Sequence, residues 1–567
     1  MKKSQLALLA VAVIAVALIA IVGSGGGKDD GSRGSGSNGS TSAPARAPAG
    51  ATTVRFAYSP EKEKLLVGLV DRYNASNPTV DGKKVFVSAQ NVSSGDAQTK
   101  IASGRLKLTA WSPSSSMWGR LLNFEADQPY APDTSPSIVR TPLVIAMWEP
   151  MARALGYPKR KIGFADILKL ARSNQGWAAF GHPEFGQFKL VHTNPDFSTS
   201  GLSAVVAEYY STTGKKEGLQ SADIKRARTQ VKEIEQSIVH YGDTTLFISD
   251  ELRKRGPGYA SAVAMEEATL VDFNQRRGSR DKLVAIYPSE GTFYSDNPYI
   301  TLNAPWVTDA QRKGAASFGA YLAEHIDGHT AARYGFRPSD LDARPESPLT
   351  ADNGVDPRQP TRVLGLPEPR VLAAVKNAWR ADRKPANVLL VLDTSGSMND
   401  EGRLASAKDG LRTFLKEVAP QDRVGLTIFN DRVTEVASIT PVRQIRASLQ
   451  AVVKRLIADG GTAIYDATDA GVATVKKLAD TSRINAVVLL TDGEDTDSSK
   501  SVDSVVNELD AQGDSSRRVR VFTIAYSAGA AGAAEKLERI AQASGGKAYT
   551  GSTDDIESVY RSISSFF

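Results

Sequence analysis

Hydroxyl and carboxylate side chains are concentrated in three short stretches of the C-terminal third of the 567-residue chain. One apolar run ends in DTSGS, which places Asp393, Ser395 and Ser397 close together. Thr462 follows a Gly-Gly pair, and Asp492 lies in a TDGED stretch behind a second apolar run. Carboxylate, hydroxyl and water oxygens are the ligands that Mg²⁺ prefers. If these stretches meet, they predict an open Mg²⁺ site with a position free for a carboxylate from a partner.

Each stretch also has a purely structural interpretation. An Asp-x-Ser sequence after a strand often caps a helix, and Asp-Gly often forms a turn. The occurrence of all three stretches, in order and each behind an apolar run, favours the metal site. The neighbouring acids Glu494, Asp495 and Asp497 are interpreted as a solvated loop rather than a second metal site.

The elements that must position these residues lie in the region 384–567, where apolar strands alternate with helices. Near-continuous Val, Leu and Ile in the strands indicates burial on both faces, which is typical of a mostly parallel, doubly wound sheet. In such sheets ligands bind at the carboxyl ends of the strands. We therefore expect the three stretches to lie at one edge of the sheet.

The motif Asp-x-Ser-x-Ser, the matching threonine and the aspartate of the TDG loop resemble those of a von Willebrand factor A (VWA) domain, a Rossmann-like α/β fold. The resemblance covers 384–567. It implies a metal-ion-dependent adhesion site formed by Asp393, Ser395, Ser397, Thr462 and Asp492. It also implies Mg²⁺ as the ion, with Mn²⁺ or Ca²⁺ as alternatives, and a protein partner that offers a carboxylate to the metal. The two serines are expected to bind directly, and the threonine or second aspartate directly or through water.

Strands and helices also alternate through 53–340, which predicts an α/β region of two lobes. The stretches AYSPEKEKLL, WSPSSSMWGRLL and HTNPDFSTSGLSAVVAEYY resemble those of a type II extracellular solute-binding protein, the receptor of an ATP-driven importer, and the pattern is closest to the oxyanion-binding members. Hydroxyls at helix N-termini suit a small oxyanion. The ligand candidates are Ser59, Ser114, Ser115, Thr199 and Ser200. The alternative is that these residues only cap helices and close turns.

The N-terminal segment 1–22 predicts a membrane anchor. Two lysines precede an uncharged apolar run at 6–22, which as a helix would be about 25 Å long, close to the thickness of a bilayer core. This predicts a single-pass protein of the cell membrane with its bulk outside; the alternative is a cleaved signal peptide and secretion. Residues 23–52 are predicted to form a Gly/Ser/Ala/Pro-rich linker. The proline-rich stretch 341–383 is predicted to form a connector.

Composition excludes several classes of function. The net charge is only +6, with basic and acidic residues interspersed, which does not indicate a nucleic-acid binder. No cysteine is present, so disulfides, thiolate metal sites and cysteine nucleophiles are absent. The sequence contains neither a P-loop nor a His-Glu-x-x-His motif, and its five histidines supply no obvious catalytic base. We therefore expect a binding protein rather than an enzyme.

Together these features predict an exported, membrane-tethered protein of the bacterial cell envelope that recognises a protein or other acidic partner through a Mg²⁺-dependent VWA site. The alternative function is an oxyanion receptor of an ABC-type importer with an accessory VWA domain.

Overall fold

The computed structural model describes residues 47–513, 517–526, 531–553 and 556–567. The predicted membrane anchor and most of the predicted linker lie outside these residues. Within the described ranges, no helix combines the length and the apolar composition that crossing a bilayer requires. Residues Ala47–Phe567 form one compact unit.

The N-terminal region is built around two sheets. Its strands are β1 (Thr52–Tyr58), β2 (Thr79–Val80), β3 (Lys83–Asn91), β4 (Ala110–Ser112), β5 (Thr141–Trp148), β6 (Leu190–Thr193), β7 (Ile238–Gly242), β8 (Ala262–Glu266), β9 (Leu283–Ile286), β10 (Tyr294–Ser295) and β11 (Ile300–Thr301). One sheet has the order β11-β4-β1-β3-β2, and the other has the order β10-β5-β8-β6-β7 with β9 paired to β5. The predicted α/β architecture of two lobes is therefore present.

Helices cover both sheets of this region. They are α1 (Glu63–Ala75), α2 (Ser94–Ala102), α3 (Met117–Ala126), α4 (Glu149–Ala154), α5 (Phe164–Arg172), α6 (Thr199–Thr213), α7 (Ser221–Glu235), α8 (Thr245–Arg255), α9 (Glu267–Gln275), α10 (Asp309–His325) and α11 (Gly328–Arg333). The chain enters the second lobe before β5 and returns to the first lobe before β11, so two crossings connect the lobes.

The C-terminal region forms a six-stranded sheet with the order β14-β13-β12-β15-β16-β17. Its strands are β12 (Ala386–Asp393), β13 (Arg423–Phe429), β14 (Val433–Pro441), β15 (Ile484–Thr491), β16 (Val519–Tyr526) and β17 (Ala548–Gly551). All neighbouring strands pair in parallel except β13 and β14. Every residue of β12, β15 and β16 is buried, because helices cover both faces of the sheet, as the near-continuous apolar pattern predicts.

The helices of the C-terminal region pack on opposite faces of that sheet. They are α13 (Arg403–Glu417), α14 (Val442–Arg455), α15 (Ile464–Lys476), α16 (Val502–Asp510), α17 (Ala531–Ser544) and α18 (Ile556–Ser564). Alternate residues of β12 point to the two faces: Val388 and Leu390 join the core formed with α13, α14 and α18, while Leu389 joins the core formed with α15, α16 and α17.

The predicted connector contains a helix that packs back onto the N-terminal region, α12 (Pro369–Asp382). The indole of Trp379 is buried and donates to Glu235 Oε2 at 3.0 Å. The hydrophobic core that α13, α14 and α18 form with the C-terminal sheet continues into the second lobe of the N-terminal region. The connector therefore belongs to the packed interior that both regions share.

Candidate metal centre and interlobe cleft

The last residue of β12, Asp393, lies buried at the carboxyl edge of the C-terminal sheet. Its Oδ1 accepts a hydrogen bond from the backbone N–H of Ser395 at 2.7 Å, and its Oδ2 accepts from Thr491 Oγ1 at 2.5 Å. Burial raises the pKa of Asp393 to about 6, although these hydrogen bonds act in the opposite direction. A cation bound here would favour the charged carboxylate that burial disfavours.

Three further predicted residues continue this cluster. The hydroxyls of Ser395 and Ser397 lie 3.1 Å apart, and Ser397 Oγ donates to Asp492 Oδ1 at 2.8 Å. Parallel pairing of β12 with β15 brings the two loops together, because Leu392 is level with Leu490 in the register. Four of the five predicted metal-site residues are therefore joined in one chain of hydrogen bonds.

Thr462 reaches the same edge on a third loop. The N–H of Gly396 donates to Gly460 O at 3.0 Å, which fastens this loop to the DTSGS turn. The Thr462 backbone N–H donates to Asp497 Oδ2 at 2.9 Å. Among the hydrogen bonds of these described loops, the Thr462 hydroxyl is not part of the chain that links the other four side chains. Hydrogen bonds of the loop backbone thus hold Thr462 beside the cluster.

The acids interpreted as a solvated loop have specific partners. Asp495 Oδ1 accepts from the N–H of Ile464, the first residue of α15, at 2.7 Å. With the Asp497 contact, this ties the TDGED loop to the start of the helix that follows Thr462. No sequence pattern pointed to this role, because the acids and the N–H groups they bind are about 30 positions apart.

Sequence reasoning also missed Arg403, the first residue of α13. Its Nη1 lies 2.7 Å from Asp492 Oδ2, while the Asp492 side chain is fully buried. The guanidinium therefore supplies one positive charge to a cluster that holds two carboxylates. The DTSGS motif does not predict an arginine at position 403.

The donor set fits a hard divalent cation. It consists of two carboxylates and neighbouring hydroxyls, and Mg²⁺ is commonly held by one or two carboxylates with water completing the shell. The described residues contain no group of three or more His, Cys, Asp or Glu side chains placed to hold a metal. With their two carboxylates and two hydroxyls, Asp393, Ser395, Ser397 and Asp492 are the residues that would hold the ion, with Thr462 adjacent.

A second candidate site, the interlobe cleft, lies between the two sheets of the N-terminal region. Its lining includes Ser59, Glu61, Ser94, Ser114, Thr199 and Glu266. Ser59 and Ser114 were predicted as ligands, and their hydroxyls lie 3.0 Å apart. Both hydroxyls are also within hydrogen-bonding distance of the Glu61 carboxylate, which the sequence did not single out.

The other predicted cleft residues have separate partners. Ser115 Oγ accepts from Met117 N at 3.3 Å, within the turn before that helix. Thr199 lines the cleft, but its hydroxyl accepts from Trp118 Nε1 at 2.7 Å. Ser200 Oγ bonds Thr193 Oγ1 at 2.8 Å and is not among the lining residues. Of the five predicted ligands, only Ser59 and Ser114 have hydroxyls that lie together.

Family models match both regions. The model described as bacterial extracellular solute-binding protein matches residues 54–337, half of the chain, and the model of the von Willebrand factor type A domain matches residues 387–561. An uncharacterized protein of Mycobacterium tuberculosis, found in two strains, is 25% identical over 531 residues, which are 89% of this chain and 75% of that relative.

Two solved structures have low similarity to this chain. A periplasmic thiamin binding protein has a TM-score of 0.41 at 10% identity and covers 59% of this chain and 98% of its own. A von Willebrand factor type A structure from Catenulispora acidiphila has a TM-score of 0.27 at 18% identity and covers 32% of this chain and 42% of its own.

Proposed function

Because the chain belongs to the bacterial extracellular solute-binding protein family and carries a VWA domain behind that region, we propose that it is an exported binding protein of the cell envelope. In this proposal the VWA domain recognises an acidic partner, a protein carboxylate above all, through Mg²⁺. The apolar segment 6–22 tethers the protein to the membrane. Both families are binding-type, and catalysis forms no part of the proposed function.

The observation that carries this proposal is the hydrogen-bonded chain from Asp393 through Ser395 and Ser397 to Asp492. Bound Mg²⁺ would supply an electrophilic position for the partner's carboxylate. Thr491 and the Ser395 N–H hold the Asp393 carboxylate in one orientation. Arg403 neutralises the buried Asp492, which lowers the repulsion between the two carboxylates.

Thermal unfolding of the full chain with and without Mg²⁺ tests the proposal. An ion that binds only the folded state stabilises it by about 2.7 kcal/mol at one hundred times its Kd, so we expect Tm to rise by several degrees. Asp393→Ala removes a buried carboxylate of the cluster and should abolish this shift. Asp400→Ala is the matched control, because it removes an exposed acid from the same turn. An equal Mg²⁺ shift in Asp393→Ala and the control would refute the metal site.

The alternative function, an oxyanion receptor of an ABC-type importer, would need the paired Ser59 and Ser114 hydroxyls between the lobes as its ligands. Calorimetric titration of the wild-type chain with phosphate, sulfate and molybdate tests it. Saturable binding would favour this function, and absence of heat would count against it. Glu61 argues against this function, because its carboxylate already accepts hydrogen bonds from both serines.

A further inference from the structure

The hydroxyls of the interlobe cleft converge on one carboxylate oxygen of the chain itself. Ser114 Oγ lies 2.8 Å from Glu61 Oε1, and Ser59 Oγ donates to the same oxygen. Ser94 Oγ in turn accepts from the Ser114 backbone N–H at 3.0 Å, which fixes the position of that serine. Hydroxyl donors that converge on one negatively charged oxygen form an anion site in chemical terms.

A buried cation completes this environment. Lys62 has no solvent exposure, and its Nζ lies 3.4 Å from Glu61 Oε1. The same ammonium donates to Ser59 Oγ at 2.6 Å and to Asn297 Oδ1 at 2.8 Å. Burial lowers the pKa of Lys62 to about 8, and the Glu61 carboxylate opposes that shift. Glu61 forms an ion pair with this buried lysine, and its charge supports the ammonium more strongly than those of Asp296 and Glu266.

The space that remains cannot admit an oxyanion. The cleft has a volume of about 20 Å³, which is enough for one water molecule. Its wall on the side of the second lobe carries Glu266, whose Oε2 accepts from Thr245 Oγ1 at 3.0 Å, and Asp243, which is paired with Lys547. An added anion would be repelled by the Glu61 carboxylate, which already accepts from the serine hydroxyls. The small volume and the negative charge of Glu61 thus disfavour an external oxyanion while Glu61 is in place.

We propose that the interlobe cleft is an anion site that the chain fills itself, with the Glu61 carboxylate as its ligand. The wild-type protein then binds no free oxyanion there. Removal of this side chain leaves two buried serine hydroxyls and the Lys62 ammonium facing an empty position. That position suits a small carboxylate such as formate or acetate.

The test compares wild type, Glu61→Ala and Glu63→Ala by thermal unfolding with sodium formate, acetate, phosphate and sulfate, with sodium chloride at equal ionic strength as reference. Glu63 is the matched control, because it is exposed and its removal changes the net charge equally. We expect Glu61→Ala to have a lower Tm than Glu63→Ala and to recover several degrees in formate. Wild type and Glu63→Ala should respond to formate no more than to chloride.

Two results would overturn the proposal. One is saturable binding of phosphate, sulfate or molybdate to the wild-type cleft, detected by calorimetry and lost in Ser114→Ala. The other is a folded Glu61→Ala that gains no stability from either carboxylate.

Should Glu61→Ala not fold, Glu61→Gln carries the test, since its amide oxygen can accept the same hydrogen bonds. It should fold and be less stable than Glu63→Gln, because Lys62 loses its carboxylate partner. Equal stability of these two variants would contradict the proposal. The cleft and the metal centre lie in different regions, so the Mg²⁺ response of each variant reports separately on the proposed adhesion site.

Discussion

At the residue scale, the carboxylate of the proposed metal centre is held in one orientation by a backbone N–H and by a hydroxyl that is not a candidate ligand. Each oxygen of Asp393 accepts a hydrogen bond, one from the Ser395 N–H and one from the Thr491 hydroxyl. Such supporting contacts hold a ligand in the geometry that the ion needs, and their loss commonly lowers metal affinity by about 10- to 100-fold. Thr491 is therefore as informative a target as the ligands.

We expect Thr491→Val to weaken Mg²⁺ binding by about 10-fold or more while the fold persists. Valine fills the same buried volume but cannot donate to Asp393 Oδ2, so the carboxylate loses its fixed orientation. Titration calorimetry with MgCl₂ measures the affinity, and circular dichroism checks the fold.

The matched control for this prediction is Thr523→Val on β16. That hydroxyl is equally buried, yet it donates to Leu537 O at 3.1 Å, away from the cluster. We expect the control to lose a similar amount of stability and to keep wild-type Mg²⁺ affinity. Equal affinities in both valine variants would show that Thr491 does not support the site.

At the element scale, three loops at one sheet edge are fastened to one another rather than arranged independently. Gly396 bonds the Gly460 carbonyl, and Asp497 bonds the Thr462 backbone. Asp495 accepts from the first N–H of α15, which is the role of a helix cap supplied by a distant part of the chain. The position of Thr462 thus depends on the loop that carries Asp492.

We expect Asp495→Ala to cost about 1 kcal/mol of stability, as the loss of a helix cap does, and to lower Mg²⁺ affinity as well. The second effect arises because the loop before α15 loses a contact that positions Thr462. Urea unfolding and Mg²⁺ titration measure the two quantities.

Ser501→Ala separates these effects. Ser501 Oγ caps α16 by accepting from Ser504 N at 3.2 Å, a hydrogen bond within that helix start. Its loss should cost similar stability and leave Mg²⁺ affinity unchanged. A parallel fall of affinity in both variants would mean that general destabilisation, not the fastening of the loops, is the cause.

At the scale of the whole molecule, the C-terminal residues of the chain pack against the solute-binding region. The ring of Phe566 is fully buried, with centroids 5.1 Å from Phe247 on α8 and 4.8 Å from Phe522 on β16. The N–H of Tyr241 also donates to the Phe566 carbonyl at 3.4 Å. A hydrophobic core shared in this way should make the two regions unfold together.

We expect Phe566→Ala to cost about 3–5 kcal/mol and to uncouple the two regions. All six tryptophans lie between Trp111 and Trp379, so their fluorescence reports on the N-terminal region and α12, whereas far-UV circular dichroism reports on both regions. In urea, the two signals should coincide for wild type and separate for the variant.

Leu537→Ala is the control, because this buried leucine of α17 lies on the face of the sheet away from the shared core. For this variant, the fluorescence and circular dichroism transitions should shift together to lower urea concentrations. Separate transitions already in wild type would show that the shared core does not couple the regions.

The fold class and most of the residues that gather around Asp393 follow from local sequence, because the periodicity of apolar residues and the motif at a strand end are both short-range signals. The strand order of the C-terminal sheet then brings its loops to one edge. In the interlobe cleft, by contrast, residue type alone was a poor guide. Ser115, Thr199 and Ser200 have the expected hydroxyls, but each is committed to another partner.

What the amino-acid sequence established is the order of the regions, their α/β class and the oxygen-rich residues at the strand ends. Tertiary structure alone revealed that Glu61 occupies the cleft, that Arg403 neutralises Asp492 and that Phe566 joins the two regions. The physical reason is that these contacts depend on the direction of individual side chains and on packing between distant segments, neither of which leaves a periodic pattern in the sequence.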